Sequence, residues 1–141
     1  MEVINAVNPD PQQAAEFFSD AAENKPVYMV NMLKFKDKAA YADGRKTTLS
    51  GRDAYALYGD GVKALLAEVG AAPVFGGEVT GLMLGTVEEL WDEVVIVKYP
   101  SKAAIVQMFS SPAYQEIHVH RDAGLEGQLN ISVNANDDAV L

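Results

Sequence analysis

Along Val27 to Lys36, VYMVNMLKFK, side chains divide into two alternating sets: Met29, Asn31, Leu33 and Phe35 face one way, and Tyr28, Val30, Met32 and Lys34 the other. Both sets are mostly apolar, which predicts a central strand covered on two sides. Trp91 to Tyr99 reads the same way, with Val94, Val95, Ile96 and Val97 pointing to both faces. Val74 to Gly85, VFGGEVTGLMLG, is also strand-like, but Gly77, Gly81 and Gly85 recur on one face. Glycines there weaken the strand and permit close approach of a backbone or ligand, so an edge position is expected. A last strand, Leu125 to Asn134, alternates, with Leu125, Leu129, Ile131 and Val133 expected inward and Glu126, Gln128, Asn130 and Ser132 outward.

Between the strands the apolar spacing turns helical. A first helix is expected over residues 10–24: Asp10 can cap it, Pro11 suits the first position, and Ala14, Phe17, Phe18 and Ala21 recur on one side. Ser50-Gly51-Arg52-Asp53 resembles a capping box, and behind it Tyr55, Tyr58, Val62, Leu65, Leu66 and Val69 form one stripe that Gly70 is placed to end. Ser101 to Met108 predicts a short helix, and Ser111-Pro112 starts another that Gly124 is expected to close. The polar stretch Asp37 to Gly51 is long for a connection, and reads as a mobile flap or, more plainly, as a solvated insertion. Residues 135–141 read as a frayed tail.

After the first helix the order is strand, helix, strand, strand, helix, strand. That is the split βαβ, ferredoxin-like pattern of an α+β domain, and right-handed crossovers place strands one and three at the centre of the sheet. The helices cover one sheet face only. The other face would leave Val, Ile, Met and aromatic side chains bare beyond what a monomer tolerates. Burying about 1,000 Å² of such surface is worth roughly 25 kcal/mol before association costs. The expected assembly is therefore a homodimer, two sheets closing a barrel around a shared or paired cavity.

The chain has 141 residues, one domain's worth, and the core is expected over residues 27–134. It has no cysteine, so disulfides, thiolate metal sites and cysteine nucleophiles are excluded, and a reducing cytoplasm is the expected compartment. Twenty acidic against eleven basic residues give a net charge of −9, which repels nucleic-acid phosphates and anionic lipid. No apolar run reaches the length of a membrane span, and the first residues, MEVINAVNPDP, do not read as a secretory signal.

His118 and His120 are the chain's imidazoles and the first candidates for proton transfer. Two positions apart on a helix they point away from each other, so they do not form a metal pair, and no metal or cofactor is expected. Glu93, if pressed against apolar groups, would serve as an acid or base, although its place near the start of the strand reads more plainly as a solvated rim. Tyr114, His118 and Arg121 share one helical face and offer a phenol, an imidazole and a guanidinium to an organic acid, although packing and an end-of-helix ion pair explain them as well. Asn31 among apolar neighbours needs partners, supplied either by a ligand or by the protein. Trp91 and Tyr58 complete the candidate binding set, Trp91 on a strand face with Glu93 and Tyr58 on the core stripe of its helix. No dinucleotide fingerprint, phosphate loop or nucleophile elbow is present.

The segments VYMVNMLKF from Val27, SGRDAYALYGDGV from Ser50, VFGGEV from Val74, WDEVVIVKYPS from Trp91, and SSPAYQEI with a following HR from Ser110 stand in an order that resembles one family. It is the domain of unknown function 1330, within the dimeric α/β-barrel superfamily. The resemblance implies the fold and a dimer. It implies no set activity, since the superfamily spans cofactor-free monooxygenases, lactone isomerases and haem-binding enzymes. The expected function is binding of a small, largely apolar organic molecule in a cavity reached beside the Asp37 to Gly51 loop. Cofactor-free acid–base or oxygen chemistry, a non-enzymatic binding or stress-related role, and a purely structural dimer all stay open.

Overall fold

The two doubly apolar strands lie side by side at the centre of a four-stranded sheet, in the order β2-β3-β1-β4, with every neighbouring pair antiparallel. This computed structural model describes residues 1–136, so most of the expected tail lies outside the described residues. The elements run α1 (Pro11–Phe17), β1 (Val27–Phe35), α2 (Gly51–Glu68), β2 (Ala72–Glu78), β3 (Glu93–Tyr99), α3 (Lys102–Phe109), α4 (Pro112–Gly124) and β4 (Leu125–Val133). The architecture is α+β and ferredoxin-like, with α1 added in front.

The helices cover one sheet face. Val27, Met29, Val97 and Tyr99 from the strands pack there with Tyr58, Val62, Leu66, Ile105, Met108 and Tyr114 from the helices. Leu33, Phe35 and Leu125 form a second cluster at the far end. No described element covers the opposite face, where Val30, Met32, Val94 and Ile96 run beside Phe75, Ile131 and Val133. The last three are 58%, 45% and 42% exposed.

Serines start the longer helices as expected: Ser50, Ser101 and Ser111 each accept a hydrogen bond from a backbone N–H three residues on. Gly70, with φ of +76°, ends α2. Gly124 does something else. Helix α4 ends in extended backbone at Leu125, and a Cβ on Gly124 would run into the backbone of Gly51 and Tyr55. The glycine is there so that α2 and α4 can touch backbone to backbone.

Several expected boundaries move. Helix α1 stops at Phe17 rather than Asn24, because Ser19 Oγ donates to Glu16 O and Lys102 Nζ takes the Phe17 carbonyl at 2.7 Å. Strand β2 ends at Glu78, and Gly81 and Gly85 belong to the connection; Gly85 has φ of +93°, outside the ordinary strand region. Trp91 precedes β3. The intervening Asp92 closes the ladder by accepting the Phe35 N–H at 2.8 Å and donating its own N–H to Leu33 O.

The expected faces of β4 are also corrected. A register shift between Lys34 and Phe35 skips Glu126, so Leu125 and Gln128 both lie on the helix side. Leu129, Ile131 and Val133 then fall on the bare face. One extra residue exchanges the two faces of everything after it. The Asp37 to Gly51 stretch is strapped down: Lys38 bridges Ser50, and Ala40 N–H donates to Ala123 O at 3.0 Å.

Candidate functional site

Between α2 and the β3 side of the sheet lies a cleft of about 440 Å³. It is on the helix-covered face, within one chain, and not on the bare face where a barrel interior was expected. Phe35, Val62, Leu66, Pro73, Val95 and Val97 supply apolar wall. Asn31, Arg52, Tyr55, Tyr58, Glu93 and Tyr99 supply the principal polar groups. The placement follows from two periods. On β3, Glu93, Val95, Val97 and Tyr99 alternate onto the helix face; on α2, Tyr55, Tyr58, Val62 and Leu66 recur at three- and four-residue steps.

At the rim, Arg52 Nη1 lies 3.1 Å from Glu93 Oε2, and its guanidinium stacks 4.8 Å from the Phe35 ring centroid. Deeper in, burial pushes the Tyr58 phenol above its ordinary pKa, and does the same to Tyr55 and Tyr99. Tyr58 shares its hydroxyl with that of Tyr114 at 3.3 Å, and burial raises Tyr114 too. These phenols are donors that stay protonated.

Behind the cleft runs a chain of hydrogen bonds. Asn31 Nδ2 donates to Met29 O and Val95 O at 3.2 and 3.1 Å, and its Oδ1 accepts from Gln128 Nε2 at 2.7 Å. Gln128 Oε1 accepts from Arg121 Nη2 at 2.8 Å, and Arg121 also reaches Asp122 and Asn8. Asn31 therefore finds its partners in the protein. Gln128, expected outward, is buried at the centre of this relay.

Of the residues singled out in the sequence, Asn31, Tyr58 and Glu93 line the cleft, and Tyr114 and Arg121 stand behind it. His118 and His120 do not line it. His118 Nδ1 sits 3.3 Å from Asp122 Oδ2; burial lowers its pKa, Asp122 opposes this and Arg121 adds to it. His120 Nδ1 is 2.6 Å from the Tyr41 hydroxyl, on the strapped loop. That loop lines no part of the cleft, so the expected entrance beside it is not found. Trp91 Nε1 donates to Asn5 Oδ1 at 2.8 Å, away from the cleft.

Sequence reasoning passed over Arg52, Tyr55 and Tyr99 as site residues. Arg52 did carry a signal: a cation in the first turn opposes the helix dipole, and so points to a partner elsewhere. Among the described residues, no three His, Cys, Asp or Glu side chains gather as a metal site, and no helix is long and apolar enough to cross a membrane.

A single-chain ferredoxin-like sheet with a cleft under its helices defines the class. The family model for the domain of unknown function DUF1330 matches residues 45–134, and the chain belongs to that family. The match begins inside the loop after β1, whereas structural likeness extends further. The solved structure of methylated RPA0582 protein is 32% identical, with a TM-score of 0.86, covering 96% of this chain and 98% of that one. A second structure of RPA0582, a protein of unknown function from Rhodopseudomonas palustris, is 31% identical with a TM-score of 0.82, covering 92% and 96%. Hydroxynitrile lyase from Passiflora edulis is 14% identical with a TM-score of 0.53, covering 82% and 97%, which shows the shared fold alone. No curated protein matches the chain.

Proposed function

We propose that this protein binds a small, largely apolar organic molecule in the cleft between α2 and β3. One observation carries the reading: the helix face holds an open space of about 440 Å³ with apolar walls and a few polar groups, where a structural dimer would be packed solid. Acid–base chemistry there would use Glu93, which lines the cleft beside Arg52, and the reading leaves His118 and His120 outside it. The absence of cysteine supports a reducing cytoplasm as the place of action.

A second observation favours assembly as a homodimer. The bare sheet face carries Val30, Met32, Val94, Ile96 and Ile131 in one contiguous patch, bounded by Lys34 and Lys98. A second copy offers the same apolar surface, and pairing sheet to sheet would remove both from water.

Native mass spectrometry of the protein purified from its own host tests both. The expected species is a dimer carrying a small organic molecule that is lost from Val95→Trp, in which an indole fills the cleft. A wild-type mass equal to the bare chain refutes the cleft reading. A monomer at micromolar concentration refutes the assembly.

A further inference from the structure

Resting on the cleft reading, we infer that the ligand is a neutral apolar molecule bearing a hydrogen-bond acceptor, a carbonyl or ether oxygen, which the Tyr55 and Tyr99 hydroxyls receive. Tyr99 is only 7% exposed, yet neither its hydroxyl nor that of Tyr55 has a partner among the described residues. The other polar groups within the cleft are engaged, Asn31 by Met29, Val95 and Gln128, Tyr58 by Tyr114, and Arg52 by Glu93, while Lys63 and Asp60 face each other at 3.8 Å on its exposed rim. Among the described residues, no buried side-chain nitrogen or oxygen lacks a partner, so the two unpartnered hydroxyls keep some contact with solvent, and both residues line the cleft.

A ligand entering the cleft displaces that solvent. If it brings an acceptor, the hydroxyls exchange one partner for another; if it is a plain hydrocarbon, two donors are left buried and unpaired. A phenol raised by burial stays protonated and offers a hydrogen, so the matching group on the ligand is an acceptor rather than a donor. Arg52 is held by Glu93, Arg121 by Asp122 and Gln128, and Lys63 stands at the exposed rim with Asp60. No cation inside the cleft is free to offset a buried carboxylate, so an anion would be desolvated without compensation.

The test uses three probes built on one ring system: 2-acetylnaphthalene, 2-ethylnaphthalene and 2-naphthoate. Each is titrated into the full-length protein, with binding located by the NMR signals of the Tyr55 and Tyr99 rings. The ketone is expected to bind at least about tenfold tighter than the hydrocarbon and than the carboxylate, the size of one unsatisfied buried donor. In Tyr55→Phe and Tyr99→Phe, which keep the ring, the ketone should weaken toward the hydrocarbon while the hydrocarbon holds or improves. Equal ketone and hydrocarbon affinities in the wild type overturn the inference, and that comparison needs no variant to fold. Tightest binding by the carboxylate also overturns it. If none of the probes moves the ring signals, the cleft reading falls, and this inference with it.

Discussion

Exchanging glycine for alanine at three places in the helix pair should give three different results. In Gly124→Ala the new Cβ would lie 2.9 Å from Tyr55 N and closer still to Gly51 O, against ordinary contacts of 3.4 Å or more. Both obstacles are backbone, so α2 and α4 must separate. Overpacking of this kind costs about 3 kcal/mol, at the upper end of the usual range. The helix propensity gained in replacing glycine offsets at most about 1 kcal/mol. The net loss is about 2 kcal/mol. In Gly59→Ala nothing lies within 4 Å of the added methyl, so the propensity gain stands alone and stability should rise by about 0.5–1 kcal/mol. Gly61→Ala meets only the Ile117 side chain, at 2.8 Å, which can turn aside, so it should fall between the two. Urea unfolding of all three at one protein concentration gives the midpoints. A Gly124→Ala midpoint equal to or above wild type would refute the claim that close backbone contact, rather than helix termination, explains this glycine.

Asp92→Ala should cost about 2 kcal/mol by orphaning the Phe35 N–H, while Asp92→Asn, which keeps an acceptor, should cost less than about 1 kcal/mol; equal losses in urea would show that the Lys34 pair matters instead. Burial lowers the His118 pKa, so the unfolded chain takes up the proton first on acidification: the contribution is present above about pH 6.5 and lost as pH falls toward the folded value. His118→Gln should flatten the stability profile on that acid side. Buried Tyr58, Tyr99 and Tyr114 and half-buried Tyr55 have raised values, so their contribution is complete below about pH 10 and lost above it, visible as alkaline unfolding that tracks tyrosinate absorbance. Val30→Asp places an unpaired carboxylate in the bare sheet face and should weaken the proposed dimer at least about a hundredfold by sedimentation, with little change in the folded monomer. Deleting Glu126 removes a bulge residue and keeps every later side chain on its face, whereas deleting Asn130 exchanges the faces of Ile131, Ser132 and Val133; the thermal midpoint should drop much further in the second.

The strand order was legible because two strands, β1 and β3, are apolar on both sides, and no edge strand needs to be. The helix starts were legible because serine capping is local chemistry. What escaped was whatever depends on a partner distant in sequence. The alternation of β4 reads cleanly as letters, and only the pairing of Phe35 with Leu125 and Lys34 with Gly127 shows that Glu126 stands outside it. Gly124 looks like a helix stop until Gly51 is seen against it. The site divides the same way. Asn31, Tyr58 and Glu93 were singled out for being polar in apolar surroundings, and they line one cleft with Arg52, Tyr55 and Tyr99. The histidines were singled out for their chemistry alone, and α4 carries them to Asp122 and Tyr41. A helical stripe says which residues are buried, but not which strand they meet.

The glycine contact and the cleft have a common origin. Because Gly51 and Gly124 let α2 and α4 meet backbone to backbone, the pair occupies less width than two ordinary helices, whose axes sit about 8–10 Å apart. The Lys36 and Gly124 hydrogen bond at 2.8 Å ties the same corner to the end of β1. Drawn together over β1 and β4, the helices leave the β2 side of the sheet uncovered, and β2 is exposed along nearly its whole length. The space between α2 and β3 lies toward that side, walled by Tyr55, Tyr58, Val62 and Leu66 of α2 itself. A substitution that pushes α2 away from α4 should therefore move it over that space. Gly124→Ala is expected to weaken ligand binding as well as stability, through a residue that touches no ligand.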